Sequence, residues 1–168
     1  IENLPSLLDT LRDSVTENGG SIYVADDAAD ANAYIEQVAD EKNAETVVKS
    51  KSMTTEEIHL NDHLEHNDIA VYETDLGEFV IQLADEAPSH LIGPAIHKSR
   101  SDIATLFNTQ FDLDEPLETA EELTRFARDY LGDKIIDADI GITGANFVLA
   151  ESGTIVIVTN EGNARKTA

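Results

Sequence analysis

Residues 138–159 read ADIGITGANFVLAESGTIVIVT, which is three short apolar runs separated by two polar turns. The runs are 138–143, 147–150 and 154–159, and the last two are rich in the β-branched residues that favour strands. Gly144 and Gly153 stand in the turns, where glycine permits the positive φ or close backbone approach that a tight turn needs. The segment therefore predicts a sheet core with polar residues at its strand ends: Thr143, Asn146, Glu151, Asn160, Glu161 and Asn163. A site at these ends is a hypothesis, because polar turns also occur on sheets that bind nothing.

The rest of the chain alternates predicted strands with predicted helices. Strand-like runs occur at 21–25, 46–48 and 70–73, and a short one lies within 88–98. Apolar residues at helical spacing occupy 4–15, 28–39, 101–107 and 120–131. Gly19 is expected to end the first of these helices and Gly132 the last. The alternation predicts an α/β fold with a largely parallel sheet flanked by helices, and an antiparallel addition at 147–159.

The composition narrows the class of protein. A chain of 168 residues fits one domain, and with 41% hydrophobic but only 5% aromatic residues its core is expected to be mostly Ile, Leu, Val and Ala. Cysteine is absent, which excludes disulfides, thiolate nucleophiles and cysteine-ligated clusters within these residues. No apolar run approaches the ~20 residues that span a bilayer, so we expect a cytoplasmic protein without membrane insertion. The start at Ile1 and the polar tail suggest a fragment of a longer protein.

The charge is strongly acidic, with 34 acidic against 11 basic residues and a formal net charge of −23. Such a chain is not expected to bind nucleic acid or an anionic membrane directly. Three interpretations are open: a halophilic source, an acidic mesophilic protein, or an acidic docking surface for a basic partner. Few lysines, many aspartates and abundant alanine favour the halophilic source.

Polar loops follow several of the predicted parallel strands, where α/β proteins usually bind ligands. The loops at 49–52, 74–78 and 94–98 would share one edge of the sheet with 143–146. In the first loop, Lys49, Lys51 and Ser52 lead into a helix start and form a candidate anion cradle. The alternative is ordinary helix capping with solvated lysines, since the glycines of a phosphate-binding P-loop are missing.

Carboxylates and histidines supply the remaining candidates. Asp75 and Glu78 are candidate general acid–base groups if they face Lys49 or Lys51, although acids are also common in the first turn of a helix. His97 is a candidate for proton transfer or for hydrogen bonding a carboxylate or phosphate. His59, His63 and His66 have metal-ligand spacing, but the acidic residues around them indicate a solvated helix, so no metal site is predicted.

Five motifs, in order along the chain, resemble the LUD (lactate-utilisation) domain. They are Val48–Met53 with Glu56-Glu57, Glu73–Glu78, Pro88–His90 with Pro94–Lys98, Gly141–Asn146, and Ala150–Thr154. The resemblance covers nearly the whole chain and is nearest to the LutB-type iron–sulfur subunit of this family.

The resemblance implies a single LUD-like domain over residues 1–168 with the NagB/RpiA/CoA-transferase-like α/β fold. It implies work with other lactate-utilisation subunits in the oxidation of L-lactate to pyruvate. It also implies iron–sulfur clusters in a missing part of the parent protein, because the cysteine motifs that follow this domain in the family are not present here. No cofactor is therefore expected within this chain.

Three functions remain open from the sequence. The first is the LUD-domain portion of a lactate-oxidising complex, which binds an anionic ligand or partner subunits while the redox centres lie elsewhere. Lys49, Lys51 and Ser52 would then meet the anion, opposite a wall formed by Thr143, Asn146 and Glu151. The second is a stand-alone enzyme on a sugar phosphate or CoA ester with Glu151 as nucleophile or base. The third is a protein-interaction module, and an exposed sheet edge would also allow homo-oligomers.

Overall fold

The computed structural model describes residues 3–90, 93–159 and 162–168. Its elements in chain order are α1 (Leu4–Glu17), α2 (Ala28–Lys42), β1 (Thr46–Lys49), α3 (Met53–Glu57), α4 (Leu60–His66), β2 (Ala70–Glu73), α5 (Leu76–Ala84), α6 (Arg100–Gln110), α7 (Ala120–Asp137), β3 (Ile140–Ile142), β4 (Phe147–Leu149), β5 (Thr154–Val156) and α8 (Asn163–Thr167). The predicted strand-end residues Asn160 and Glu161, and part of the predicted strand within 88–98, lie outside the described residues. No helix in the described ranges combines the length and apolarity needed to cross a membrane.

The central sheet has the strand order β2-β1-β3, and all three strands are parallel. Helices intervene between consecutive strands, as parallel pairing requires. β4 and β5 form a separate antiparallel hairpin. The α/β fold with a parallel sheet, flanking helices and an antiparallel pair near the C-terminus is confirmed.

Two hydrophobic clusters form the core, one between the sheet and its helices and one among helices. The first joins Val47 and Val71 of the sheet to Leu60 and Leu64 of α4 and Ala39 of α2, and it is aliphatic as expected. The second joins α5, α6 and α7 and is centred on aromatic side chains: Phe79, Phe107, Phe111, Phe126 and Tyr130. The expectation of a mostly aliphatic core is nevertheless confirmed, because these aromatic side chains pack among a larger number of Leu, Ala, Ile and Val residues.

The prediction of a strand at 21–25 is wrong. These residues pair with no strand; instead Tyr23 stacks on Tyr34 of α2 with ring centroids 4.0 Å apart, and its hydroxyl donates to Asp30. The ring of Tyr23 therefore contacts the following helix rather than a sheet neighbour.

The expected helix end at Gly132 is also wrong, because α7 continues to Asp137. A glycine inside a helix costs about 1 kcal/mol relative to alanine. Packing on both sides of Gly132 offsets this: Leu131 is buried, and Lys134 lies over the ring of Tyr72 on β2. The strand predicted at 154–159 ends early, at Val156.

Two local contacts cover the outer strands of the central sheet, β2 and β3. On the outer edge of β2, the side-chain amide of Gln82 donates to Val71 O (2.6 Å) and accepts from Glu73 N (3.1 Å). At Gly141 in β3, the carbonyl of Thr167 in α8 comes so close that a Cβ would lie 1.8 Å from it. Glycine at position 141 thus allows α8 to lie directly on the strand.

Candidate functional site

A cavity of about 500 Å³ opens at the carboxyl ends of the parallel strands, and we call it the strand-end cavity. Residues 50–54 after β1, Asp75 after β2 and 144–146 after β3 line it, together with 157–159 and Asn163. The structure therefore brings together Lys51, Ser52, Asp75 and Asn146, which the sequence placed at one rim of the sheet. The volume lies within the range of small-molecule sites.

Lys51 is the cation of this cavity. Its side chain is 25% exposed and is in direct contact with Glu78 Oε1, while Glu56 Oε1 lies 3.8 Å from its ammonium nitrogen. Burial alone would lower the pKa of Lys51, but the hydrogen bond to Glu78 and the nearby negative charges raise it above its ordinary value. Lys51 is therefore a protonated donor whose counter-ion comes from α5.

Glu78 is the buried partner in this contact, with 5% of its side chain exposed. Burial raises the pKa of Glu78; the hydrogen bond to Lys51 opposes this rise, and the charges of Glu56 and Glu73 add to it. A carboxylate in this position gains a proton more readily than a solvated one.

Asp75, Ser52 and Asn146 each have a structural contact beside the cavity. Asp75 Oδ1 caps α5 by accepting from Gly77 N at 3.0 Å, and Ser52 caps α3. Asn146 closes the base of the hairpin, where its Oδ1 accepts from Val158 N at 2.7 Å. These contacts fix the three side chains on elements that the sheet positions.

Lys49 has a different environment from Lys51. Its side chain is 1% exposed; its ammonium lies 2.7 Å from Glu73 Oε1 and donates to Thr55 Oγ1 at 3.0 Å. Lys49 is the last residue of β1, in register with Glu73 of β2, so its side chain lies within the fold. It is not among the residues that line the strand-end cavity.

Three further candidates also lie away from the lining. Thr143 donates to the carbonyl of Gly144 rather than facing the cavity wall. Glu151 is exposed in the turn at the far end of the hairpin, next to Ala150, whose carbonyl accepts from Ser14 of α1. His97 bonds Glu86 Oε2 and Ser89 Oγ, both at 2.8 Å, beyond the C-terminal end of α5.

The helical histidines have ordinary partners. His63 bonds Glu36 of α2 at 2.7 Å, and His66 Nδ1 lies 2.8 Å from the carbonyl of Asp62. Across 3–90, 93–159 and 162–168, no group of three or more His, Cys, Asp or Glu residues is placed to hold a metal ion.

Thr159 and Glu56 also belong to this region, although neither is among the site residues predicted from the sequence. Thr159 lines the cavity with Ile157 and Val158 after β5 ends at Val156, whereas an unbroken strand to 159 was predicted. Glu56 Oε1 lies 3.8 Å from the Lys51 ammonium, because α3 begins directly after the Lys51-Ser52 loop. Its place in the first turn after the Ser52 cap was the available signal.

Comparison with known proteins gives one family. The family model described as the LUD domain matches residues 8–168. No solved structure matches the chain.

The similar curated proteins are longer than this chain. "Lactate utilization protein B" of Lysinibacillus sphaericus is 49% identical over 165 residues, which is 98% of this chain and 34% of the relative. "Uncharacterized electron transport protein YkgF" of Escherichia coli K12 is 48% identical over 165 residues, with the same coverage. "Lactate utilization protein B" of Bacillus subtilis is 46% identical over 166 residues, again 98% of this chain and 34% of the relative. The chain thus spans about a third of the length of these relatives.

Proposed function

Because the chain belongs to the LUD domain family, we propose that it is the LUD-domain portion of a lactate-utilisation protein and binds a small organic anion in the strand-end cavity. In this proposal the parent protein acts with other lactate-utilisation subunits to oxidise L-lactate to pyruvate. The names of the relatives support the pathway, and the position of Lys51 supports the anion.

The iron–sulfur clusters of this proposal belong outside these residues. Cysteine is absent, so the chain supplies none of the thiolates that hold such clusters. The greater length of the relatives, one of which is named an electron transport protein, supports redox centres elsewhere in the parent. The role that we propose for this domain is to bind and orient the small organic anion.

The observation that carries the anion proposal is the partly exposed Lys51 ammonium at the carboxyl ends of the sheet. A carboxylate ligand would accept from this ammonium, and the Ser52 hydroxyl lines the same wall. Lys49 supports the wall from within the fold through its contact with Thr55 of α3. Asp75, as the cap of α5, would position Glu78.

Glu78 sets the condition for binding. Glu78 is already the counter-ion of Lys51, so a bound anion has to replace the Glu78 carboxylate beside the Lys51 ammonium. The raised pKa of Glu78 favours its protonation once Lys51 turns to the ligand. Anion binding would therefore be coupled to proton uptake, and affinity would increase as the pH falls from neutrality.

The test is titration calorimetry with L-lactate and pyruvate, with neutral lactamide as the control ligand. Lys51→Met should weaken lactate binding about 10- to 100-fold, since a hydrogen bond to a charged group contributes about 1.5–3 kcal/mol. The control Lys42→Met changes charge equally at an exposed position of α2 and should leave binding unchanged. Equal binding of lactate and lactamide, or unchanged binding in Lys51→Met, would reject the site.

The alternative of a stand-alone enzyme that uses Glu151 on a sugar phosphate or CoA ester has a separate test. Glu151 lies in the hairpin turn and does not line the strand-end cavity. This alternative requires turnover by the isolated chain that is abolished in Glu151→Gln.

A further inference from the structure

A second cavity, of about 400 Å³, lies between α4, α5 and the end of β2, and we call it the acidic cavity. Its lining shares no residue with that of the strand-end cavity. Apart from His59, every ionisable residue of its lining is an aspartate or glutamate.

Lysines neutralise only part of this charge. Lys49 pairs with Glu73, Lys51 with Glu78, and Lys98 with Glu86. Asp62, Glu65 and Asp85 also line the cavity, and none of them lies within ion-pair distance of a described lysine or arginine. Burial raises the pKa of Glu65, and the charges of Asp62 and Asp85 raise it further, as expected where like charges are crowded.

Three oxygen atoms of the lining residues are buried without a hydrogen-bond partner among the described residues: Glu56 Oε1, which lies 3.8 Å from the Lys51 ammonium, and one oxygen each of Glu73 and Asn61. Glu73 is 4% exposed, and its Oε1 accepts from Lys49 and from Asn61 Nδ2 at 2.9 Å. Its other oxygen, Oε2, and the amide oxygen of Asn61 are buried and have no hydrogen-bond partner in the part of the chain that the structure describes. Buried polar atoms are nearly always hydrogen-bonded, so this pair indicates a donor that occupies the cavity.

The chemistry of the wall selects the kind of donor. Carboxylate and amide oxygens only accept hydrogen bonds, and the surplus negative charge favours a cation. A bare metal ion fits poorly, because no group of three metal-ligating side chains is formed among the described residues and the volume is large. Ala87 and Pro88 are exposed in the lining and add apolar surface that suits a short hydrocarbon stem.

We propose that the acidic cavity binds a small organic cation whose primary ammonium or guanidinium group donates to Glu73 Oε2 and Asn61 Oδ1. The cation offsets the charge of Asp62, Glu65 and Asp85 at the same time. Water molecules would satisfy the two oxygens but would leave that charge uncompensated. The proposal does not require anion binding at Lys51, but the two sites are linked, because the counter-ion of Lys51, Glu78, lines the acidic cavity.

The test is calorimetry or amide NMR with n-butylammonium and n-butylguanidinium chloride at constant ionic strength. Tetramethylammonium serves as a cation without N–H donors, and a short lysine peptide distinguishes a side-chain source from a free amine. We expect saturable binding of the two N–H-bearing cations and at least tenfold weaker binding of tetramethylammonium.

Variants distinguish binding of the amine in the acidic cavity from general attraction of cations to an acidic protein surface. Asn61→Ala should weaken binding at least tenfold, and Asp85→Asn, which leaves the buried pair intact, should weaken it by a smaller factor. Asp114→Asn removes the same charge from the 112–116 loop and should have no effect. Lys51→Met should retain or strengthen amine binding while it loses lactate binding, because it leaves Glu78 of the acidic cavity without its counter-ion.

Two results would overturn the proposal. Equal affinity for tetramethylammonium and n-butylammonium, insensitive to Asn61→Ala, would indicate only a diffuse counter-ion atmosphere. Absence of saturable binding by the N–H-bearing cations would indicate that the two oxygens are simply hydrated.

Discussion

Replacement of Lys49 by methionine tests whether Lys49 stabilises the fold, in contrast to Lys51, which lines the strand-end cavity. Methionine keeps most of the side-chain volume and removes the charge. Glu73 then keeps only the bond from Asn61 on Oε1, and its Oε2 already lacks a partner. Thr55 Oγ1 loses its donor as well.

The size of the effect follows from burial. Lys49 is 1% and Glu73 4% exposed, so removal of one partner leaves an almost fully buried carboxylate uncompensated. Breaking a buried pair in this way costs about 3–5 kcal/mol. Small domains have about 5–15 kcal/mol of stability in total, so Lys49→Met should remain folded but with a much lower urea midpoint.

The assay is urea unfolding followed by circular dichroism at constant salt, with the m-value as a check on two-state behaviour. Lys51→Met is the comparison variant and should lose less stability, because Lys51 is 25% exposed and the raised pKa of its partner Glu78 allows that carboxylate to take up a proton. The double variant Lys49→Met/Glu73→Gln should be more stable than Lys49→Met alone, since it removes the orphaned charge. A loss in Lys49→Met no larger than in Lys51→Met, together with loss of lactate binding, would refute the structural role of Lys49.

Four further outcomes are expected. Gly141→Ala should undock α8 from the sheet and cost a few kcal/mol, roughly the penalty for overpacking, because its Cβ would meet the carbonyl of Thr167; hydrogen exchange in α8 measures this. Gln82→Glu should lower the melting temperature at neutral pH, since a carboxylate cannot donate to the carbonyl of Val71, whereas normal melting would argue against that contact. The pKa of Glu65 is raised in the fold, so this group favours folding as the pH falls through the raised pKa and opposes it at neutrality; Glu65→Gln should therefore raise the melting temperature at pH 7 and have no effect well below its ordinary pKa of 4.5. If the charge of −23 reflects a halophilic source, transfer from molar to millimolar salt should loosen the fold, because the Debye length grows from about 3 Å at 1 M to about 30 Å at 0.01 M; unchanged melting would contradict that interpretation.

The parallel sheet and the residues at one rim of the strand-end cavity could be predicted from the local sequence pattern. Short β-branched or apolar runs separated by helices give β1, β2 and β3, and parallel strands bring their carboxyl ends to one edge. Lys51, Asp75 and Asn146 come just after these strands, so their proximity could be predicted from position alone.

The environment of each lysine could not be predicted in the same way. Lys49 is buried because β1 and β2 pair in the register that sets it opposite Glu73, and that register depends on the packing of the whole sheet. Tyr23 shows the same limit: a strand-like run needs a partner strand, and here the ring of Tyr34 takes its place. Glu151 lies in the turn at the far end of the hairpin, and His97 lies beyond the C-terminal end of α5. Neither residue therefore lines the strand-end cavity.

The amide of Gln82 also bears on how copies of this chain can associate. A flat outer strand normally invites continuation of the sheet by another molecule, the route to strand-swapped dimers and fibrils. Here the carbonyl of Val71 and the N–H of Glu73 are already engaged within the chain, so an incoming strand would first have to displace α5. That safeguard disappears whenever α5 detaches, which makes partly unfolded molecules, rather than native ones, the species prone to self-assembly on this side.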